Sequence, residues 1–148
     1  MDYRDYRLDK SLGHKLAKSS RLLTNRLNQR FRENDFSITV EQWAIMVHLW
    51  ENDGLTQNDL ASLTGKDQPS VSRLIDNMIK RDLVKRVPHP TDRRINLIFL
   101  SSYGREIQKG LIAQVMTALK EAAIGIDLRE MEVCLSVLDR VIENLKDK

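Results

Sequence analysis

The segment Thr56–Gly104, TQNDLASLTGKDQPSVSRLIDNMIKRDLVKRVPHPTDRRINLIFLSSYG, constrains this chain more than any other. Thr56 opens a short helix, with Asp59 at the third position after it, and Leu60, Ala61 and Leu63 supply its apolar contacts. Gly65 breaks it. Asp67 caps a second helix, whose first turn tolerates Pro69 because the N–H that proline lacks would be unpaired there. Val71, Leu74, Ile75, Met78 and Ile79 follow the i, i+3, i+4, i+7, i+8 pattern of a helix face turned to a core. Leu83–Val87 reads as a strand, stopped by Pro88 and Pro90, and Ile95–Leu100 as a second strand. Two short helices, a turn and a hairpin with a basic loop make a helix-turn-helix with a wing, an arrangement suited to touching both grooves of a duplex.

Charge is concentrated in the same place. Residues 66–105 hold nine Lys/Arg against four Asp/Glu, whereas residues 1–65 balance at nine of each and residues 106–148 carry six basic and eight acidic side chains. The net charge of +3 is therefore a basic centre between neutral and acidic ends. That asymmetry points to a polyanionic partner, double-stranded DNA, more strongly than the total does.

Composition removes other classes. No apolar run approaches the ~18–20 residues that span a bilayer, and MDYRDYRLDK lacks the apolar stretch of a signal peptide, so no membrane partner and a cytoplasmic location are expected. The single cysteine, Cys134, excludes an internal disulfide and a cysteine-cluster metal site. Its helical, apolar surroundings favour an inert buried thiol. His14, His48 and His89 are too widely spaced for a metal motif. No P-loop, dinucleotide fingerprint or GxSxG is present. No enzyme activity and no cofactor are expected.

The flanking segments read as long helices. Leu12, Leu16, Leu23, Leu27 and Phe31 recur at helical spacing over residues 8–33. Thr39 caps the next helix, with Gln42 three residues on, and Asn52-Asp53-Gly54 closes it. There Trp43, Met46, Val47 and Trp50 define one face and Ile45 and Leu49 a second, so this helix is expected to pack on two sides. After Ser101 or Ser102, a helix over 103–123 carries Ile107, Leu111, Val115, Ala118 and Ala122. In the last helix Leu128, Met131, Leu135, Leu138, Ile142 and Leu145 alternate in steps of three and four, a seam for packing within or between chains. The fold class is mainly α with a small β-hairpin wing.

On the second short helix, Pro69, Arg73, Asp76 and Asn77 point away from the apolar face, with Ser70 and Ser72 at its flanks. Arg73 is the candidate for base readout, since arginine pairs bidentately with guanine O6 and N7; the alternative is an ion pair with Asp76 or Asp92. Thr56, Gln57, Gln68, Ser70 and Ser72 offer short hydrogen bonds to DNA, against ordinary cap and turn roles. Arg93 and Arg94 lie at the wing tip, where a loop arginine can enter the minor groove. Asp92 would serve by orienting a neighbouring arginine. Lys66, Lys80, Lys85, Arg86 and Arg105 are phosphate-contact candidates or plain surface charges. For a small ligand between the long helices and the winged unit, His14, Lys18 and Arg21 supply polar groups. Trp43, Met46 and Trp50 supply an apolar wall, with core packing the alternative for each.

The chain resembles the multiple antibiotic resistance regulator (MarR) family of bacterial winged-helix repressors over nearly its whole length. The resemblance rests on Thr56-Gln57-Asn58-Asp59-Leu60-Ala61, Ser70-Val71-Ser72-Arg73-Leu74-Ile75-Asp76, and Asp92-Arg93-Arg94 followed by Leu100 and Gly104. It implies an obligate homodimer built from the first and last two helices, bound to a pseudo-palindromic operator with recognition helices in the major groove and wings in the minor groove. It also implies relief of repression by small phenolic or aromatic acids. On that reading residues 1–148 are a single domain, with the winged region at 36–100 and dimerisation helices at 8–34 and 102–148. Two departures stand out. Asp82 occupies the place of a usual glycine before the first wing strand, and the first helix lacks the cysteine of the peroxide-sensing branch. Rival readings are a winged-helix module for protein contacts in a larger assembly, which would more often expose apolar anchors, and a small enzyme.

Overall fold

The computed structural model describes residues 2–147. Its elements are α1 (Leu12–Glu33), α2 (Val40–Glu51), β1 (Leu55–Thr56), α3 (Gln57–Thr64), α4 (Gln68–Lys80), β2 (Val84–Pro88), β3 (Asn96–Leu100), α5 (Ser102–Glu106), α6 (Gln108–Ala122) and α7 (Leu128–Leu145). The fold is mainly helical with one small antiparallel sheet, ordered β1-β3-β2.

Side-chain caps set the helix limits. Ser11 accepts the His14 N–H and starts α1 there; residues 8–10 form a separate 3-10 turn, so the helix is shorter than its apolar spacing suggested. Thr39 and Gln42 form a reciprocal capping box on α2, as do Thr56 and Asp59 on α3. Gly65 ends α3 in the left-handed region at φ 67°, which glycine adopts without a Cβ penalty. Asp82 holds φ 58° after α4. The Leu83 N–H bonds the Met78 carbonyl and the Asp82 N–H the Ile79 carbonyl, the paired bonds that close a helix through a left-handed residue. The aspartate therefore keeps the turn that glycine would make.

The core gathers Phe31, Ile45, Met46, Leu49, Leu60, Ile75, Met78, Leu83, Ile98 and Leu111, all fully buried. Each contributes about 1.5–3 kcal/mol of transfer free energy. α2 packs against α1, α3, α4 and β3, in keeping with its two apolar faces. α1 lies antiparallel to α6: Arg26 and Arg30 pair with Glu121, and Asn34 Nδ2 donates to Gln114 Oε1 at 3.0 Å.

Three further features differ from the sequence reading. The hairpin gains a third strand, because Leu55 and Thr56 pair with Ile98 and Leu97. The helix expected over 103–123 is interrupted at Ile107, splitting α5 from α6. Near that break, Trp50 Nε1 donates to the Gly104 carbonyl at 3.3 Å, an acceptor that a continuous helix would offer to the Gln108 N–H. Gly104 is buried against Leu83, the residue before β2, and a Cβ there would collide with the Leu83 carbonyl oxygen. Finally, α7 barely touches the rest of the protomer and buries no side chain, so the Cys134 thiol is exposed on it and not buried.

Candidate nucleic-acid interface

α4 carries Val71, Ile75 and Met78 into the core and so turns its opposite face outward. Its N-terminus is held by Asp67, whose Oδ1 accepts the Ser70 N–H at 2.8 Å. That backbone bond, then the Ser70 side chain, and more weakly Arg73 and Lys66, hold the Asp67 carboxyl below its ordinary pKa. Gln68 and Pro69 are exposed in the first turn, and Ser70 and Ser72 are half-buried. Arg73 is exposed and donates to Ser70 Oγ at 3.3 Å, and it pairs with neither Asp76 nor Asp92.

Two concavities flank α4. One, about 240 Å³, lies between the starts of α3 and α4 and the wing, and brings together Thr56, Gln57, Gln68 and Arg94. The other, about 600 Å³, lies between α4 and the α1–α2 junction, and brings Lys66, Ser70, Arg73 and Asn77 beside Thr24 and Asn28. Lys66 pairs with Glu41 at 3.3 Å. Asn77 is tied down: its Oδ1 accepts Gln42 Nε2 at 2.9 Å, which satisfies a glutamine that is itself buried. The Thr56 hydroxyl accepts the Asp59 N–H at 3.0 Å, so its cap role occupies it as an acceptor.

The wing tip is organised from within. Asp92 accepts Arg94 Nε on Oδ1 at 3.0 Å and Nη2 on Oδ2 at 3.1 Å. The Arg94 side chain, then its backbone N–H, lowers the Asp92 pKa, and Asp92 raises that of Arg94. Arg93 is exposed and has no ion-pair partner among the described residues. His89 Nδ1 accepts the Thr91 and Asp92 N–H groups at 3.2 and 3.3 Å, a bracing role the sequence did not suggest. Nor did the sequence reveal Asp53, which looks there like part of a helix-ending turn. Its Oδ1 accepts the Leu100 N–H at 2.9 Å and its Oδ2 pairs with Arg105, fastening the wing's base.

Arg86, a phosphate-contact candidate or plain surface charge from sequence, has two partners within the chain. Its Nε donates to Gln57 Oε1 and its Nη2 to Asp76 Oδ1, both at 2.8 Å. Arg105, of the same group, pairs with Asp53.

Neither of the two concavities beside α4 is lined by the six residues expected around a small ligand. Met46 is fully buried in the core. Trp43 and Trp50 are half-buried against the core, with Trp50 engaged by Gly104 and Trp43 Nε1 shielded without a partner. His14 is half-buried, and Lys18 and Arg21 are exposed along the first half of α1. Helical rise separates His14 from Asn28, where α1 meets α2, by about 21 Å.

A helix-turn-helix whose second helix presents short polar groups and an arginine, beside a basic winged hairpin, defines a DNA-binding transcriptional regulator. Comparison with known proteins gives the family. The MarR family model matches residues 36–95. A probable transcriptional regulator from Pseudomonas aeruginosa is 30% identical, with 92% of this chain and 100% of that chain covered at a TM-score of 0.78. The HTH-type transcriptional regulator YsmB of Bacillus subtilis is 27% identical over 90% of this chain and 92% of its own. BpsR of Bordetella bronchiseptica, whose DNA binding is regulated by 6-hydroxynicotinic acid, shares the fold at a TM-score of 0.84 and 20% identity over 96% and 99% of the two chains. The chain belongs to the MarR family. It is a transcriptional regulator and not an enzyme, and no helix among its described residues is long and apolar enough to cross a membrane.

Proposed function

We propose that this chain is a homodimeric, sequence-specific repressor that is relieved by a small aromatic acid. On this reading residues 36–100 engage DNA, and residues 8–34 and 102–148 pair the two chains within one domain. Arg73 reads a base in the major groove; Gln57, Gln68, Ser70 and Ser72 hold its flanks; and Arg93 and Arg94 enter the minor groove.

One observation carries the reading. The outward face of α4 and the wing tip are the exposed, basic parts of an otherwise neutral or acidic chain. A dimer is supported by the apolar side chains left in solvent on α6 and α7. Met116 and Leu119 are 51% and 43% exposed, and Leu128, Leu135, Ile142 and Leu145 are between 55% and 77% exposed. Exposed apolar surface of this extent needs a partner, and a two-fold pair of winged units would place recognition helices about 34–36 Å apart on a pseudo-palindrome.

The effector is supported by the crevice between α4 and the α1–α2 junction, where Arg73 offers positive charge and Leu74 an apolar wall, while Lys66 there is paired with Glu41. A ligand there shifts repression only by binding the DNA-free state more tightly. Selection of duplexes from a random pool, followed by titration with salicylate and 6-hydroxynicotinic acid, tests both parts. An enriched inverted repeat, released by either acid, is expected. Enrichment of no sequence would overturn specific recognition, and unchanged affinity with both acids would overturn this effector class.

A further inference from the structure

We propose that Arg86 is a positioning residue: it neutralises Asp76 on the polar face of α4 and aims the Gln57 amide, without itself contacting DNA phosphate. In β2, Val84 and Arg86 lie two residues apart and share one face of the strand. Val84 is buried in the core, so Arg86 is directed toward the helices and not into solvent. Its side chain is 28% exposed, against 91% for Arg94 at the wing tip.

Both bonds made by Arg86 have consequences for the DNA-facing surface. Asp76 is 54% exposed and adjoins Asn77 on the polar side of α4. An uncompensated carboxylate there would repel phosphates. The guanidinium on Oδ1 cancels that charge where it arises. The second bond fixes an orientation. Arginine has donors only, so the group of Gln57 facing Arg86 Nε is its carbonyl oxygen. The Gln57 NH₂ is therefore left for the cleft between α3, α4 and the wing, which Gln57 lines. One side chain thus joins the start of α3, the middle of α4 and the wing strand into a single body, with its Nε and one Nη2 donor engaged inside that body.

This inference rests on the proposed docking of α4 and the wing. If the wild-type dimer bound no duplex, that docking would fail; the pattern among variants tests the clamp alone. The experiment measures affinity and its salt dependence for Arg86→Gln, Asp76→Asn and the double variant, on a duplex that the wild-type protein selects from a random pool. Arg86→Gln is expected to weaken binding about tenfold while leaving the slope of log affinity against log salt at the wild-type value. Adding Asp76→Asn is expected to recover most of that loss, since the orphaned carboxylate is gone. A slope lowered by about one in Arg86→Gln would make Arg86 a phosphate contact and overturn the proposal. Unchanged affinity, or a double variant no better than Arg86→Gln, would also overturn it. Should Arg86→Gln fail to fold, Gln57→Ala and Arg86→Lys each disturb one or both bonds more mildly. Both are then expected to lose affinity with an unchanged slope for Arg86→Lys, and full wild-type affinity in both would reject the clamp.

Discussion

Asp92 binds Arg94 through both of its carboxylate oxygens and also accepts the Arg94 backbone N–H at 3.1 Å. The pair closes a tight loop of three residues and gives the first arginine after Asp92 a different status from the second. Arg93 projects without a partner among the described residues, whereas Arg94 is held in one orientation by a carboxylate that lies within the same turn. A guanidinium so held loses less freedom on meeting a groove, at the cost of a nearby negative charge.

Replacing either arginine by alanine is expected to weaken binding on all duplexes and to lower the salt slope by about one for each phosphate left unneutralised. Titrations of Arg93→Ala and Arg94→Ala against salt check this. Affinity and slope unchanged in both variants would remove the wing from the interface.

Arg73 should behave otherwise. Among the described residues its exposed guanidinium hydrogen-bonds only Ser70, which leaves paired donors available to a base edge. Arg73→Ala is expected to cost about 1–3 kcal/mol on the selected duplex and to relax preference at one base-pair position. A weaker complex with unchanged preference at every position would make Arg73 a phosphate contact instead.

Acid should weaken the two solvent-accessible carboxylates that brace the interface. Asp67 is held below its ordinary pKa chiefly by the Ser70 backbone N–H, and Asp92 chiefly by the Arg94 side chain. A carboxylate whose folded pKa is depressed adds stability that is present above its unfolded value and lost as pH falls through its folded value. Asp67→Ala and Asp92→Ala are therefore expected to melt below the wild type at neutral pH, with the gap closing as pH falls below the aspartate range. Both groups are reached by solvent, so the gaps should be small and shrink with salt. A gap that held constant into acid would assign it to something other than the ionised carboxylate.

Much of this architecture was legible from local chemistry. The caps at Thr39, Thr56 and Asp67 and the apolar stripe of α4 are set by residues within a few positions of one another, and each appears where the pattern put it; of the two serines offered after β3, Ser101 is the cap. What escaped depends on distant partners. Gln42 was readable as a cap but not as the residue that holds Asn77, 35 positions away. Arg86 reads as a basic residue in a basic segment until β2 is known to turn it toward Gln57 and Asp76. Alternation with Val84 was the available signal, and charge counting hid it. The ligand residues turn on the same kind of information: a shared helical face shows that Trp43, Met46 and Trp50 are covered but not by what, and within the protomer Met46 is covered by core.

The last helix supplies the most direct test of assembly. α7 is 18 residues long and buries none of them in the protomer, although Leu128, Leu135, Leu138, Ile142 and Leu145 follow a packing seam. An isolated helix of this length is marginal in water and draws its stability from packing on an apolar face. α7 barely touches its own protomer, and in the proposed dimer that packing comes from a second chain, with the exposed side chains of α1 and α6 beside it. Deleting residues 128–148 is therefore expected to leave the core of α1–α6 without its partner and to give a monomer or aggregates in sedimentation experiments. Its binding to the inverted repeat should fall as well, because two tethered half-site engagements become one. A truncated chain that still sedimented as a well-folded dimer would place the interface elsewhere and sink this account of α7.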